Sequence, residues 1–169
     1  MTIRNICPND YQPIINVLND WWGGRAMSTM LPKLFFVHFC GTSFIMETDE
    51  RVLGFLTGFC SQTYPRQAYI HFAGVNPAYR KQGIGRTLYE TFFEAVQRVN
   101  CHQVHCETAP VNQQSIAYHL AMGFKADPSD SHINGIAYSS NYDGPGEDRV
   151  LFVKQLTASK HSATNTENI

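Results

Sequence analysis

Val75-Asn76-Pro77-Ala78-Tyr79-Arg80-Lys81-Gln82-Gly83-Ile84-Gly85-Arg86 sets three cations and two glycines into the short stretch from Arg80 to Arg86. The apolar run QAYIHFAGV (67–75) precedes it and reads as a strand whose long hydrophobic stretch predicts burial on both faces and a central place in a sheet. RTLYETFFEAVQRV (86–99) follows, with Leu88, Phe92, Ala95, Val96 and Val99 on one face of an amphipathic helix. The loop therefore joins a strand to the N-terminus of a helix. The first turn of a helix leaves backbone N–H groups without partners, and these groups and the helix dipole favour an anion. Gly83 and Gly85 lack a Cβ, so phosphate oxygens can approach the backbone closely. Arg80 and Arg86 are placed to add charge-assisted contacts. Two common phosphate motifs fail here. No G-x-x-x-x-G-K-[ST] occurs, and G-x-G-x-x-G is broken because Leu88 stands where its third glycine belongs. Taken alone, the loop fits either a diphosphate cradle or a plain glycine-rich turn with solvated cations.

Working outward, TIRNIC (2–7) alternates as a first strand, and NDYQPIINVLNDWW (9–22) has helical spacing after Asn9 and Asp10, with Gly23-Gly24 as a stop. MLPKLFFVHFC (30–40) predicts a second helix with Pro32 in its first turn. SFIMET (43–48) and VLGFLTGFCSQ (52–62) read as a hairpin. QVHCETA (103–109) is a further strand, NQQSIAYHLAM (112–122) a short helix closed by Gly123, DGPGED (143–148) a turn and RVLFVKQL (149–156) a last strand. The order is that of an α/β chain, with a mostly antiparallel first half and a strand-loop-helix-strand unit in the middle.

Composition narrows the functional classes. A chain of 169 residues with 43% apolar content supports one domain with a full core, expected over 1–156, and a polar, flexible tail over 157–169. Thirteen basic against fourteen acidic residues give a net charge of −1, so no global field points to nucleic acid. Five cysteines, an odd number mostly inside apolar runs, predict reduced and buried thiols in a cytoplasmic protein. Neither an apolar signal core nor a membrane-length apolar window is present in the sequence. Cys101, His102, His105 and Cys106 have metal-ligand chemistry, but a strand divides them between faces and no second pair has zinc-finger spacing, so no metal is expected.

VNPAYRKQGIGRTLYE (75–90) closely resembles the acetyl-CoA-binding signature of the GNAT acetyltransferases, [R/Q]-x-x-G-x-[G/A] after a strand ending in V-x-P; Arg80, Gly83, Gly85, Val75 and Pro77 carry the likeness. NQQSIAYHLAMGF (112–124) is similar to that family's second signature through Asn112, Ser115, Gly123 and Phe124. The resemblance covers the order of elements from about residue 1 to 156 and is weakest between Trp21 and Thr48. It implies the acyl-CoA N-acyltransferase fold, an α+β arrangement with a mixed central sheet flanked by helices. Two neighbouring parallel strands would splay apart, with the pantetheine arm of acetyl-CoA in the gap against the backbone of Ala73, Gly74 and Val75. The pyrophosphate would rest on the N–H groups of Lys81, Gln82, Gly83, Ile84, Gly85 and Arg86. Asn112 and Ser115 would border the cofactor from the other side.

Amine acetylation needs a base for the amine, a donor for the oxyanion and a proton for the leaving thiolate. The resemblance implies direct attack without an acyl-enzyme, so no cysteine is cast as nucleophile. Glu107 stands five residues before Asn112, where some family members carry a catalytic Glu; it is either the base or a hydrogen-bonded structural carboxylate. His71 is the second candidate, either a proton carrier through water or a satisfied half-buried ring. The family usually places a Tyr seven residues after the Asn. Here His119 holds that position and Tyr118 precedes it. His119 is thus expected as the acid or a cofactor contact, with Tyr118 behind it, since helical neighbours point about 100° apart. The implied acceptor is a primary amine of a small molecule, with Trp21 and Trp22 as candidate walls. A protein N-terminus or lysine is the alternative acceptor, and a non-catalytic acyl-CoA-binding regulator the alternative function. Homodimers are common among similar proteins.

Overall fold

A computed structural model describes residues 1–49, 51–129 and 131–157. β1 (Thr2–Asn5) leads into α1 (Tyr11–Trp21). Asp10, in the position before α1, does not cap the helix with its side chain. It accepts two hydrogen bonds of 2.8 Å from the Arg4 guanidinium and one from the Cys7 N–H, which ties β1 to the start of α1. Gly23 and Gly24, at φ +66° and +86°, turn the chain out of α1. The long second helix expected over 30–40 is not formed. A 3-10 turn at Met27–Met30, the single-turn α2 (Phe35–His38) and another 3-10 turn at Cys40–Thr42 replace it. Pro32 and the following aromatic and β-branched residues propagate a helix poorly, and the segment needs only one turn to bury Leu31, Phe35 and Phe36.

β2 (Phe44–Thr48) and β3 (Arg51–Cys60) form the expected hairpin, followed by β4 (Gln67–Val75), α3 (Ile84–Arg98), β5 (Gln103–Thr108) and α4 (Gln113–Ala121). The chain then adds β6 (Lys125–Ala126), a small hairpin of β7 (Ser131–Ile133) and β8 (Ile136–Tyr138), and β9 (Val150–Gln155). Seven strands make one mixed sheet in the order β1-β2-β3-β4-β5-β9-β6, and only β4 and β5 run parallel. The extra hairpin turns on Asn134-Gly135, both with positive φ, the pair that two-residue hairpin turns favour. Beyond Thr157, the expected polar tail lies outside the described residues.

Apolar cores line both faces of the sheet. On one face α3 and α4 pack Leu88, Phe92, Val96 and Ile116 against Leu56, Ile70, Val104, Cys106 and Phe152. On the other, α1 and α2 pack Ile14, Leu18, Trp21 and Phe36 against Ile45, Phe55 and Phe72. Val99 does not join the α3 stripe and is 59% exposed. The helix ends at Arg98, and Asn100 in the left-handed region turns the chain so that Cys101 takes the buried place. Of the cysteines, Cys101 and Cys106 are buried and Cys7, Cys40 and Cys60 are half-buried; all five are free thiols. Among the described residues, no helix is long and apolar enough to cross a membrane.

Candidate active site

β4 decides the geometry of the site. Its register against β3 slips at His71: Ile70 pairs with Gly58 and Phe72 with Thr57, leaving His71 as the extra residue of a bulge. The bulge exchanges faces. Before it, Ala68 and Ile70 point into the α3 core; after it, Phe72 points into the α1 core. Both faces of β4 are therefore used, though by alternation on either side of a bulge rather than by an unbroken buried strand.

The parallel ladder to β5 is short. Gln67, Ala68 and Tyr69 pair with Gln103, Val104 and His105, and the pairing ends there. From Ile70 to Val75, β4 pairs only with β3, and Ala73, Gly74 and Val75 border an open edge. That edge runs up to the N-terminus of α3. Gly83 is the residue before the helix, at φ +82°, and Lys81 also has a positive φ of 63°. The N–H groups of Gly83, Ile84, Gly85 and Arg86 belong to the first turn, where the helix offers no acceptor. Arg80, Lys81 and Gln82 are exposed beside them, and Arg86 lies 3.6 Å from Glu90. An unpaired strand edge ending in a ring of free N–H groups suits an extended chain that carries a diphosphate.

A cavity of about 260 Å³ lies at this edge, bordered by Trp22, Gly23, Arg25, Arg80 and Asn112. The fold thus brings the first glycine-cation loop together with the second signature. Arg80 is engaged with backbone, donating to the Val75 carbonyl at 3.3 Å and the Trp21 carbonyl at 2.9 Å. Asn112 caps α4, its Oδ1 accepting the Ser115 N–H at 3.2 Å. A second cavity, about 360 Å³ and bordered by Tyr64, Arg66 and His102, opens at the other end of the β4–β5 pair. It holds none of the candidate residues.

The acetyltransferase (GNAT) family matches residues 11–124. The chain belongs to that family. No curated protein matches it. Among solved structures it is similar to Ard1 from Thermoplasma volcanium, with 18% identity, 92% of this chain and 97% of that one covered, and a TM-score of 0.72. It is also similar to the diaminobutyrate acetyltransferase from Paenibacillus lautus in complex with L-2,4-diaminobutyric acid and coenzyme A (19% identity, 91% and 93% covered, TM-score 0.66). A third is the ribosomal-protein-alanine N-acetyltransferase from Brucella melitensis (17%, 92% and 100%, TM-score 0.62). At these identities the likeness is one of fold. The mixed sheet with flanking helices is the GNAT fold, and acetyl-CoA is the co-substrate this family uses.

In this GNAT acetyltransferase, Glu107 and His105 share a face of β5 opposite the buried Val104, Cys106 and Thr108. The Tyr69 hydroxyl donates to Glu107 Oε2 at 2.8 Å, and Arg149 Nε lies 3.5 Å from Glu107 Oε1. Arg149 also pairs with Asp143 at 2.7 Å and with Glu147 at 2.9 Å. Burial raises the Glu107 pKa above the ordinary carboxylate value; the Tyr69 hydrogen bond opposes this, the neighbouring Asp143 adds to it and Arg149 opposes it. The net direction is upward, which suits a carboxylate that takes up a proton. Tyr69 carries no signal of its own in the sequence, and Arg149 is marked there only as the end of NYDGPGEDR (141–149), a stretch that reads either as a border of the acceptor site or as a hairpin turn. The alternation of β4 and the turn cluster before β9 locate them, but only the folded sheet brings them to Glu107.

His71, on the same side of the sheet, is held by α2 and the turn before it. Its ring stacks on Phe35 with centroids 4.4 Å apart, and Nε2 donates to the Met30 carbonyl at 2.8 Å. Burial lowers its pKa.

His119 is placed differently from the expectation. It is 6% exposed and stacks on Phe152 at 5.1 Å. Nδ1–H donates to the Ser115 carbonyl at 2.8 Å, so Nε2 carries the lone pair that accepts the Tyr89 hydroxyl at 3.0 Å. Both ring nitrogens are committed inside the core, and the Ser115 hydroxyl lies 3.3 Å from Nδ1. Tyr118, one position earlier on α4, carries its hydroxyl to Gly85, 2.9 Å from where a Cβ would stand. That oxygen is buried without a hydrogen-bond partner, and its pKa is raised to about 12, chiefly by burial. Helix phase thus sends the ring at 119 into the core and the phenol at 118 to Gly85 in the first turn of α3.

Burial lowers the His119 pKa, so the folded state keeps it neutral. As pH falls below about 6.5, the unfolded chain gains a proton that the folded chain resists, and stability is lost. His71 and His105 act with the same sign. His119→Phe keeps the ring packing but orphans the buried Tyr89 hydroxyl. It is expected to cost about 1–3 kcal/mol of stability in denaturant titrations. It should also flatten the acid limb of stability and leave kcat within a factor of about two. A large loss of kcat in a well-folded His119→Phe protein would restore His119 to the chemistry.

Proposed function

We propose that this chain transfers the acetyl group of acetyl-CoA to a primary amine of a small molecule by direct attack within a ternary complex. The observation that carries the reading is the open edge of β4, which ends at the free N–H groups of α3 and has Glu107 on the opposing strand. In this reading the backbone of Ala73, Gly74 and Val75 holds the pantetheine arm, and the N–H groups from Lys81 to Arg86 hold the diphosphate. Arg80 leaves its carbonyls to add charge, and the Asn112 amide faces the arm. Glu107 takes the amine proton, directly or through one water. The neutral amine attacks the thioester carbonyl, and unpaired N–H groups on the β4 edge receive the oxyanion. The intermediate collapses by C–S cleavage; the departing thiolate takes a proton from Tyr118 or solvent, and the cationic nitrogen gives up its second proton to the resulting phenolate or to solvent, which leaves the neutral amide. Glu107, Asp143 and Glu147 make the acceptor side acidic, which favours an amine that arrives as a cation. A cytoplasmic setting keeps the five thiols reduced.

The test is release of CoASH over a panel of diamines, amino acids, aminoglycosides and short peptides. Turnover with a small primary amine is expected. Turnover confined to peptide N-termini or lysines would replace the small-molecule acceptor, and binding of acetyl-CoA without turnover on any amine would favour a regulator. Failure to bind acetyl-CoA would remove the site assignment altogether.

A further inference from the structure

The β4–β5 ladder ends at Tyr69, and the next link between the two strands is a side-chain bond from Tyr69 itself. Where backbone pairing stops, only side chains hold the strands at a fixed distance. The Tyr69 ring is fixed from the other side by Phe59 of β3, stacked at 5.7 Å and 23°. Its hydroxyl meets Glu107 Oε2 at 2.8 Å, which leaves Oε1 as the oxygen 3.5 Å from Arg149. We infer that Tyr69 is a positioning residue: it clasps β4 to β5 at the floor of the gap, holds one oxygen of Glu107 and thereby aims the other at the acceptor. This inference rests on Glu107 being the base.

The groups facing Glu107 come from three elements. Tyr69 lies on β4, Tyr142 and Asp143 lie on the loop before β9, and Arg149 stands at the foot of β9. Burial, with the adjacent carboxylate, raises the Tyr69 pKa far above the ordinary phenol value, so Tyr69 remains a proton donor throughout the working range. Its hydrogen bond favours ionised Glu107, whereas burial and Asp143 favour the protonated form. Removing the donor should therefore raise the Glu107 pKa and move the acidic limb of activity to higher pH.

Tyr69→Phe keeps the ring against Phe59 and deletes only the hydroxyl. Two measurements on the full chain decide the matter. The first is a carbon-13 titration of glutamate carboxyls, with the Glu107 signal assigned by its loss in Glu107→Gln. It needs no acceptor. The Glu107 midpoint is expected to rise by about one pH unit in Tyr69→Phe. The second is the pH–rate profile with the best amine of the panel. Its acidic limb should move upward by the same amount, with kcat at neutral pH lower by about tenfold and KM for acetyl-CoA unchanged. An unmoved Glu107 midpoint would overturn the inference. So would a loss of rate that is equal at every pH, which marks a purely structural role. Full turnover in Glu107→Gln would instead remove the base assignment, and with it any catalytic purpose for the clasp, even with the midpoint shift intact.

Discussion

Glu107→Gln is expected to lower kcat by about 10²–10⁴-fold, the usual worth of a positioned base. KM for acetyl-CoA should stay within a factor of about two, because Glu107 lies on β5 and not in the loop before α3 that is proposed to hold the diphosphate. The substitution is nearly isosteric. An amide can still accept from the Tyr69 hydroxyl, so that bond and the fold survive while the site for a proton is lost. The sign of the pH dependence follows from the balance around the carboxyl. Its folded pKa lies above the ordinary value, so wild-type activity should climb as pH rises through that raised value, at higher pH than an ordinary carboxylate would set. The Gln variant should lose that limb. A Gln variant with the wild-type profile would assign Glu107 to structure only.

Gly83→Val should raise KM for acetyl-CoA by about tenfold or more, with a smaller change in kcat at saturation. The cause differs from the simple blocking that the bare loop suggests. A Cβ at Gly83 would meet nothing within 4 Å, so space is not the obstacle. The obstacle is φ +82°, which costs an L-residue about 1–2 kcal/mol and is worse for a β-branched side chain. Relief of that strain rotates the peptide just ahead of α3 and turns its N–H groups away from the diphosphate. Gly85 is the converse case: a Cβ there would stand 2.9 Å from the Tyr118 hydroxyl, so the limit is steric. Unchanged cofactor affinity in a folded Gly83→Val protein would count against the loop as the diphosphate site.

Much of this architecture is local and was legible in the chain. The glycine-cation loop, the 3.6-residue period of α3, the alternation of β5 and Gly123 beyond α4 each state a backbone preference within a few residues. Asn134-Gly135 was legible too, a hairpin signal that the turn-rich region around it obscured. The segment 30–40 misled because apolar periodicity cannot distinguish a long helix from a single helical turn, flanked by irregular chain, that buries Leu31, Phe35 and Phe36.

The site itself divides along the same line. The sequence by itself determined the glycine-rich turn into α3 and the two signatures that mark the family, because a backbone turn at a helix start is set by neighbouring residues. Only the tertiary structure decided which of two adjacent rings, His119 or Tyr118, faces the loop. That depends on how α4 rolls against Phe152 and Tyr89, contacts 33 and 30 residues away in the chain. The same holds for Glu107, whose meaning comes from Tyr69 across the ladder's end and Arg149 from the last strand. Propensity acts over a few residues, whereas a proton's affinity is set by whatever the fold places within a few ångströms.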